Sequence, residues 1–499
     1  MNKNVKKWIV LIAAFAMAFG IMASCRRSDN EGTSGGAANQ GAQTTTPTPT
    51  QADQGGTQTE DTQTDTSASD DIAATPLRDF NGRAFSIGDW WTNNDAEEEP
   101  PTTLREEQWR DYRDDVFDRY NFTMRQMSVG GWGEHMELYT TSVMAGDPVA
   151  DIFIMSTSWA AQLMSQGLLY PINTVESVNL NQAKWNSSIS DLFTGPDGSV
   201  YGITNALQLE PRMYVFWNKR LYADAGIDPE TPYNLQASGE WTWEAFMDLA
   251  ERLTRDLDGD GIDDVFGFVA FEVEAIGGFT LSNNAHFINR GTDGLFYNAM
   301  LEPNLIEALQ FAKSIDERGF WARGPEGAEW DWFVTGFHDG HAAMIMREAY
   351  STGSWATMDD DWGMVFPPQG PRADNLKTSF SENVYVLPFN TSASNAEDIM
   401  FAFNLFTEPL AYDLAHPDAW KDGGWGYERF RDTRAVDETL AMFHSGEPYL
   451  WFDFRNMVPG IDWGPVFEWG AILGDNTVQE NIEAAKPVID AAIDDVNSR

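Results

Sequence analysis

The stretch DIFIMSTSWAAQLMSQGLLYPI, Asp151 to Ile172, opens on a short apolar run, Asp151 to Met155, that follows the turn residues Gly146, Asp147 and Pro148. A run of that length bounded by turn signals reads as a buried strand. Upstream, Trp132, Met136, Tyr139 and Val143 recur at helical spacing. Before them Thr103 and Glu106 make a capping box ahead of Trp109, Tyr112, Val116, Phe117 and Tyr120, which share one face. Ala84 to Gly88 reads as a first strand that ends at Asp89-Trp90-Trp91. Strand, helix and strand alternate, so the fold class is α/β, with helices on the faces of a sheet expected to be mainly parallel.

The theme continues downstream. Thr242 caps a helix with Trp243, Phe246, Leu249 and Leu253 as its stripe, and Val265 to Ala270 is a strand. At the end, Thr477 and Glu480 suggest another capping box, with Val478, Ile482, Ala485, Val488, Ile489, Ala492 and Val496 along one side and Pro487 as a kink. No internal repeat of fixed period occurs. The body from about Pro76 to Arg499 exceeds the ~250–300 residues at which a single core stops growing, so two lobes are expected.

The beginning of the chain reads as an address. Lys3, Lys6 and Lys7 precede an apolar stretch from Trp8 to Met22, which has the makings of a secretion signal over residues 1–25. The lone cysteine, Cys25, follows Met22-Ala23-Ser24 and resembles a bacterial lipobox, where the cysteine is lipidated; Met22 departs from that pattern, which usually has Leu. An ordinary cleaved signal or a short membrane anchor is the alternative. With its one cysteine spent on an anchor, the chain holds no internal disulfide and relies on a hydrophobic core. Residues 26–75 are rich in Gly, Ser, Thr, Gln and Asp with almost nothing apolar to bury, which reads as a disordered linker.

A formal net charge of −45 and a pI near 4.2 disfavour nucleic acid and anionic surfaces, and point to a neutral or cationic ligand. The chain has 20 Trp, 14 Tyr and 31 Phe, many beside Gly, Asn or Asp, as in GDWWTNND and DGGWGYERF. Flat aromatic faces beside polar groups suit sugar rings, although most of these side chains are expected to be packing.

Three blocks in order are similar to the extracellular solute-binding proteins of carbohydrate ABC importers, the family that includes the maltodextrin-binding protein: Asp151 to Ile172; YGITNALQLEPRMYVFWNKRLYADAGI, Tyr201 to Ile227, followed by Trp241 to Phe246; and GFHDGHAAMIMREAYSTGSW, Gly336 to Trp355. A weaker fourth, Ser379 to Leu387 with a helix at Asn395 to Phe406, resembles the return crossover. The resemblance implies a periplasmic-binding-protein-like fold of two α/β lobes with a hinge and an interlobe ligand cleft. Lobe 1 would hold 76–207 and the return at 379–425; lobe 2 would hold 208–378 and a C-terminal part, 426–499. It further implies a monomer, tethered through the lipid anchor to the extracellular or periplasmic face of the cell membrane, that captures a small carbohydrate and hands it to permease subunits without chemical change. By position it assigns ligand contact to Ser156, Thr157, Ser158 and Trp159, to Glu348 and Tyr350, to Trp90 and Trp91, and to Glu210. The plain structural readings are an inward-packing Trp159, a half-buried Tyr350 with its hydroxyl wet, and solvated loop charges for Glu210 and Glu348.

Asp256-Leu-Asp258-Gly-Asp260-Gly261-Ile262-Asp263-Asp264 matches the first nine places of a calcium loop, with Asp256, Asp258, Asp260 and Asp264 as carboxylates and Ile262 supplying its carbonyl. Position twelve is Gly267 instead of the bidentate Glu. Two readings stand: a structural Ca2+ site, or an Asp and Gly turn whose side chains cap local backbone donors. No other cofactor is expected. Abundant acids and Trp make a glycoside hydrolase the enzyme alternative, and a polysaccharide-binding adhesin a third class; no nucleophile elbow, zinc helix or phosphate loop is apparent, and the reading is a binding protein, not an enzyme.

Overall fold

The computed structural model describes residues 77–498 apart from 93–100, 102, 206–208, 330, 382, 417, 447–448, 465–469, 471–473 and 475. The signal, Cys25 and the linker lie outside the described residues. Ten strands occur among them: β1 (Arg83–Asp89), β2 (Phe122–Ser128), β3 (Ile152–Met155), β4 (Met213–Asn218), β5 (Phe266–Ala270), β6 (Ile288–Arg290), β7 (Phe296–Asn298), β8 (Ala342–Glu348), β9 (Trp362–Val365) and β10 (Val384–Val386). They form two four-stranded sheets, ordered β10-β3-β1-β2 and β5-β8-β4-β9, and a small β6-β7 hairpin. The fold is α/β in two lobes, one per large sheet.

In the first sheet β1 pairs in parallel with both β2 and β3, and only the late strand β10 runs antiparallel, against β3. The connecting helices form because their caps and stripes agree. Thr103 and Glu106 make the reciprocal capping box of the helix Leu104–Tyr120, which buries Tyr112, Val116 and Tyr120. The left-handed Asn121 ends it and β2 follows at once. This helix and the helix Ala393–Phe406 cover one face of the sheet, packing Val116, Tyr120, Ile399 and Phe403 with Phe85, Ile87 and Met124.

The second sheet departs from the expected parallel arrangement: β4 runs antiparallel to both β8 and β9, and only β5 and β8 are parallel. The reason is non-local, since β4 enters this sheet from the other lobe. The helix Trp243–Leu253, capped by Thr242, buries Trp243, Phe246, Met247, Leu249, Ala250 and Leu253 against it. At roughly 1.5–3 kcal/mol for each large apolar side chain, that stripe alone outweighs any propensity term. The C-terminal helix Val478–Asn497 carries its capping box and runs through Pro487, but Val488, expected on its apolar side, is exposed.

Two segments join the sheets. Ile203 pairs antiparallel with Tyr385 and Pro211 with Phe380: Arg212 N–H donates to Ser379 O (2.9 Å), Ser381 N–H to Glu210 O (2.8 Å) and Tyr385 N–H to Ile203 O (2.8 Å). Thr378, fully buried, donates its hydroxyl to Met213 O (2.5 Å) and exchanges backbone bonds with a third segment, Tyr449 to Trp451. That segment continues to the short helix Phe454–Met457, which packs on the helix Thr157–Ser165 of the first lobe. Trp451 stacks on His286, ring centroids 4.9 Å apart and planes at 13°.

Burial pushes the His286 imidazole down to about 4, against the pull of Asp453 and with help from Arg455 and Lys377. The unfolded chain therefore binds this proton between about pH 6.5 and 4 while the native state does not, so stability falls as pH drops through that window. His286→Phe keeps the stack on Trp451. It should remove part of the acid destabilisation between pH 6.5 and 4, on the order of 1–3 kcal/mol, measured as the difference in urea midpoints; an unaltered pH dependence would exclude His286 as its source.

Candidate functional site

Register alone decides which strand ends meet. Val384, the first residue of β10, lies opposite Met155, the last of β3. Met213, the first of β4, lies opposite Glu348, the last of β8. Both crossovers thus enter their sheets at the carboxyl ends of the parallel strands, and those ends face one another across residues 379–383. An extended stretch of that length spans roughly 15–20 Å. Ligands of open α/β sheets bind outside the carboxyl ends of the strands, and here two sets of such ends border one gap.

On the first lobe these ends carry four tryptophans. Trp90 and Trp91 follow β1, Trp132 begins the helix Trp132–Met144 after β2, and Trp159 lies in the first turn of the helix Thr157–Ser165 after β3. Trp90 is the hub: its ring meets Trp91 at 4.6 Å, Trp132 at 5.3 Å and Trp159 at 5.1 Å, each edge to face. Trp132 and Trp159 lie 4.2 Å apart at 37°. Trp91 is 50% and Trp132 58% exposed, so these two offer open surface while Trp90 and Trp159 support them.

The Trp90-Trp91 turn is set by Asp89, a fully buried carboxylate at the end of β1 that accepts the Trp91 N–H (3.1 Å), the Thr92 N–H (2.9 Å) and the Thr92 hydroxyl (2.5 Å). Beneath the cluster, the buried His135 ring bridges Val129 O and Ile154 O at 2.9 and 3.0 Å. Ser156 caps its helix, accepting the Trp159 N–H at 3.4 Å, and its hydroxyl lies 3.2 Å from that of Ser158. Ser156 and Ser158 are half-buried; Thr157 is buried inward.

On the second lobe the equivalent ends carry charge. Arg212, in the crossover, lies 3.3 Å from the Glu210 carboxylate and 3.8 Å from that of Glu348, and donates to Ser381 Oγ at 3.1 Å. Its guanidinium sits 5.2 Å from the centre of the Tyr350 ring, which is 44% exposed. Arg429 donates to Tyr350 O and lies over Trp425. Deeper, Arg347 pairs with Glu274. Burial pushes the Glu274 carboxyl up, although the charge of Arg347 works against it.

Of the residues expected to touch ligand, Trp90, Trp91, Ser156, Ser158 and Trp159 meet at one edge, Thr157 beside them is buried away from it, and Glu210, Glu348 and Tyr350 meet at the other. Helical spacing put Trp132 in a core stripe, whereas the side chain is exposed in the cluster; Gly130-Gly131 just before it was the available signal. Arg212, Arg347, Glu274 and Arg429 carried no local signal, whereas Trp425 lies in the stretch DGGWGYERF, where aromatic residues stand beside Gly and Asp.

The acidic loop lies between the helix Trp243–Leu253 and β5. Single carboxylate oxygens of Asp256, Asp258 and Asp260 lie within 4.8 Å of one another. Asp256 accepts N–H groups from Gly259 (2.7 Å) and Gly261 (2.8 Å), which hold its carboxyl below the usual range, and Asp264 accepts the Leu257 N–H at 2.7 Å. The Ile262 N–H donates to Asp260, and its side chain is exposed. Gly267 explains the absent twelfth carboxylate: a Cβ there would stand 2.1 Å from Ala250 O, inside the packing of helix on strand.

Residues 126–317 match the family model of the bacterial extracellular solute-binding proteins. Solved structures share its fold over most of its length: UspC of Mycobacterium tuberculosis (19% identity, TM-score 0.55, covering 82% of this chain and 100% of that one) and the cyclic alpha-maltosyl-1,6-maltose binding protein of Arthrobacter globiformis (16%, 0.56, 82% and 98%). An ABC substrate-binding protein of Listeria monocytogenes, in complex with cycloalternan, is similar too (15%, 0.53, 83% and 98%). No curated protein matches the sequence. No helix among the described residues is long and apolar enough to cross a membrane.

Gly267→Ala should lower stability by about 2 kcal/mol or more through the clash with backbone, read as a drop in thermal midpoint. Gly277→Ala, where no neighbouring atom approaches the new Cβ, should leave it nearly unchanged. Equal midpoints for the two variants would contradict the close approach.

Proposed function

We propose that this chain is the substrate-binding protein of an ABC importer, held to the membrane through Cys25, which captures a neutral sugar or oligosaccharide between its lobes and delivers it intact to the permease. The observation that carries the reading is the pair of facing strand ends, one lined with tryptophan and the other with Arg212, Glu348 and Tyr350. Trp91 and Trp132 serve as platforms for the apolar faces of pyranose rings, while Ser156, Ser158, Glu210 and Glu348 supply hydrogen bonds to hydroxyls. Closure of the lobes excludes water and strengthens those bonds. The binding of sugars by structural neighbours supports the ligand class, and the family match supports the partner. A hydrolytic reading is weaker, because the cleft carboxylates Glu210 and Glu348 both flank Arg212 and are drawn into ion pairs with it.

Titration calorimetry of the chain against a panel of neutral oligosaccharides should give saturable binding of one of them, recovered chemically intact. Trp91→Ala and Trp132→Ala should each weaken it about tenfold, or about 1.4 kcal/mol. Release of reducing ends, or no binding across the panel, would defeat the reading.

The loop at 256 holds a structural Ca2+ through the carboxylates of Asp256, Asp258, Asp260 and Asp264 and the Ile262 carbonyl, with water completing the shell. Without a twelfth carboxylate its affinity falls in the weak range of extracellular modules, Kd about 10⁻⁴–10⁻³ M. Millimolar Ca2+ should raise the thermal midpoint of the wild type and leave that of Asp258→Ala unmoved, with Mg2+ inactive in both; no Ca2+ response would return the loop to a plain turn.

A further inference from the structure

A cavity of about 310 Å³ lies at the hinge and shares no lining residue with the candidate cleft. Its walls come from both lobes and from the first crossover between them. The helix Leu104–Tyr120 of the first lobe contributes Trp109, the first crossover Leu209, the connection after the helix Ala393–Phe406 contributes Leu414 and Trp420, and the second lobe contributes Phe443 and Leu450. Leu450 is also bridged to Thr378, where the second crossover begins.

The chemistry of these walls selects a ligand class. Arg105 and Asp413, the charged pair at the rim, satisfy each other in a two-point bridge, Nε to Oδ1 at 3.0 Å and Nη2 to Oδ2 at 2.8 Å. Nothing in the lining therefore rewards an ion strongly. His444 stacks on Trp420 at 3.9 Å and 20°. Asn205, Thr407 and His416 add polar side chains to the lining, among the aromatic and aliphatic surfaces of Trp109, Leu209, Leu414, Trp420, Phe443 and Leu450. A dry apolar cavity of ~150 Å³ holds a benzene ring, so twice that volume suits a two-ring compound.

We infer that this hinge cavity is a second binding site, for a small neutral ring compound of about bicyclic size, and that its occupancy is coupled to lobe movement. The coupling follows from the lining. Opening and closing rotate the crossovers, and walls taken from both lobes and from the first crossover change their spacing when that happens. A compound that fits one spacing better than another biases the hinge, and by linkage ligand in the cleft biases its affinity equally. This goes beyond the proposed transport role and does not depend on the identity of the cleft ligand.

Indole is the probe. Saturation-transfer NMR on the full chain should show saturable binding with Kd about 0.1–1 mM, as expected for nine heavy atoms at intermediate ligand efficiency. Leu209→Trp fills the cavity and should weaken binding at least tenfold. Because that residue belongs to a crossover, Leu414→Trp provides a second filling variant at a side chain already 57% exposed, and it should have the same effect. Saturating indole should also slow hydrogen exchange at the amides of Arg212, Ser381 and Tyr385 by at least twofold. Absence of saturable binding, or equal binding in the folded filled variants, overturns the site; binding with unchanged exchange at those amides overturns the coupling. Either result leaves sugar binding in the cleft to be judged by calorimetry alone.

Discussion

The antiparallel ladder that pairs Ile203 with Tyr385 and Pro211 with Phe380 is the constraint on which the remaining architecture rests. Its hydrogen bonds satisfy backbone groups that would otherwise be stranded where the chain passes between two cores. The same bonds fix the register with which β4 and β10 enter their sheets. A slip of one residue would turn Glu210 and Arg212 to the opposite face, separating Arg212 from Glu348 and Tyr350. Carboxyl ends face carboxyl ends because the ladder permits no other arrangement, and the cleft chemistry follows from that.

The two edges divide the work differently. The tryptophan edge is preorganised by packing: Trp90 touches three other indoles, and the buried Asp89 and His135 tie the loops under it to the backbone. The charged edge is preorganised by pairing, with Arg212 shared among Glu210, Glu348, Ser381 and the Tyr350 face. Under the proposed function, ligand hydroxyls would meet groups at the second edge already oriented by one another, which lowers the entropy lost on binding. The short helix Phe454–Met457 against Thr157–Ser165 adds a contact between the lobes away from the crossovers.

Much of the first sheet was legible because its signals are local: the boxes at Thr103 and Thr477, the apolar run at 152–155 and the strand ending at Asp89 each declare themselves within a dozen residues. The second sheet misled, since the direction of β4 depends on a crossover and nothing in Met213 to Asn218 reveals it. Val488 and Trp132 erred for a related reason: helical periodicity places a residue on a face but does not say where that face stops being covered. In the site, aromatic residues beside glycine and aspartate pointed to one edge. The arginines of the other edge carry no pattern of their own and acquire meaning only when the ladder brings residues 212, 347 and 429 around Tyr350. Gly267 is the converse case, a residue whose mismatch to the calcium pattern was plain in sequence and whose cause, the backbone of Ala250, was not.

Movement of the two lobes about the ladder is the claim from which capture and release both derive. Small-angle scattering of the chain, with and without a saturating bound oligosaccharide, measures it most directly. The account predicts a smaller radius of gyration and a shorter maximum dimension in the bound state, reversing when the sugar is removed. Identical profiles at confirmed saturation would mean that the lobes do not close, and would contradict it.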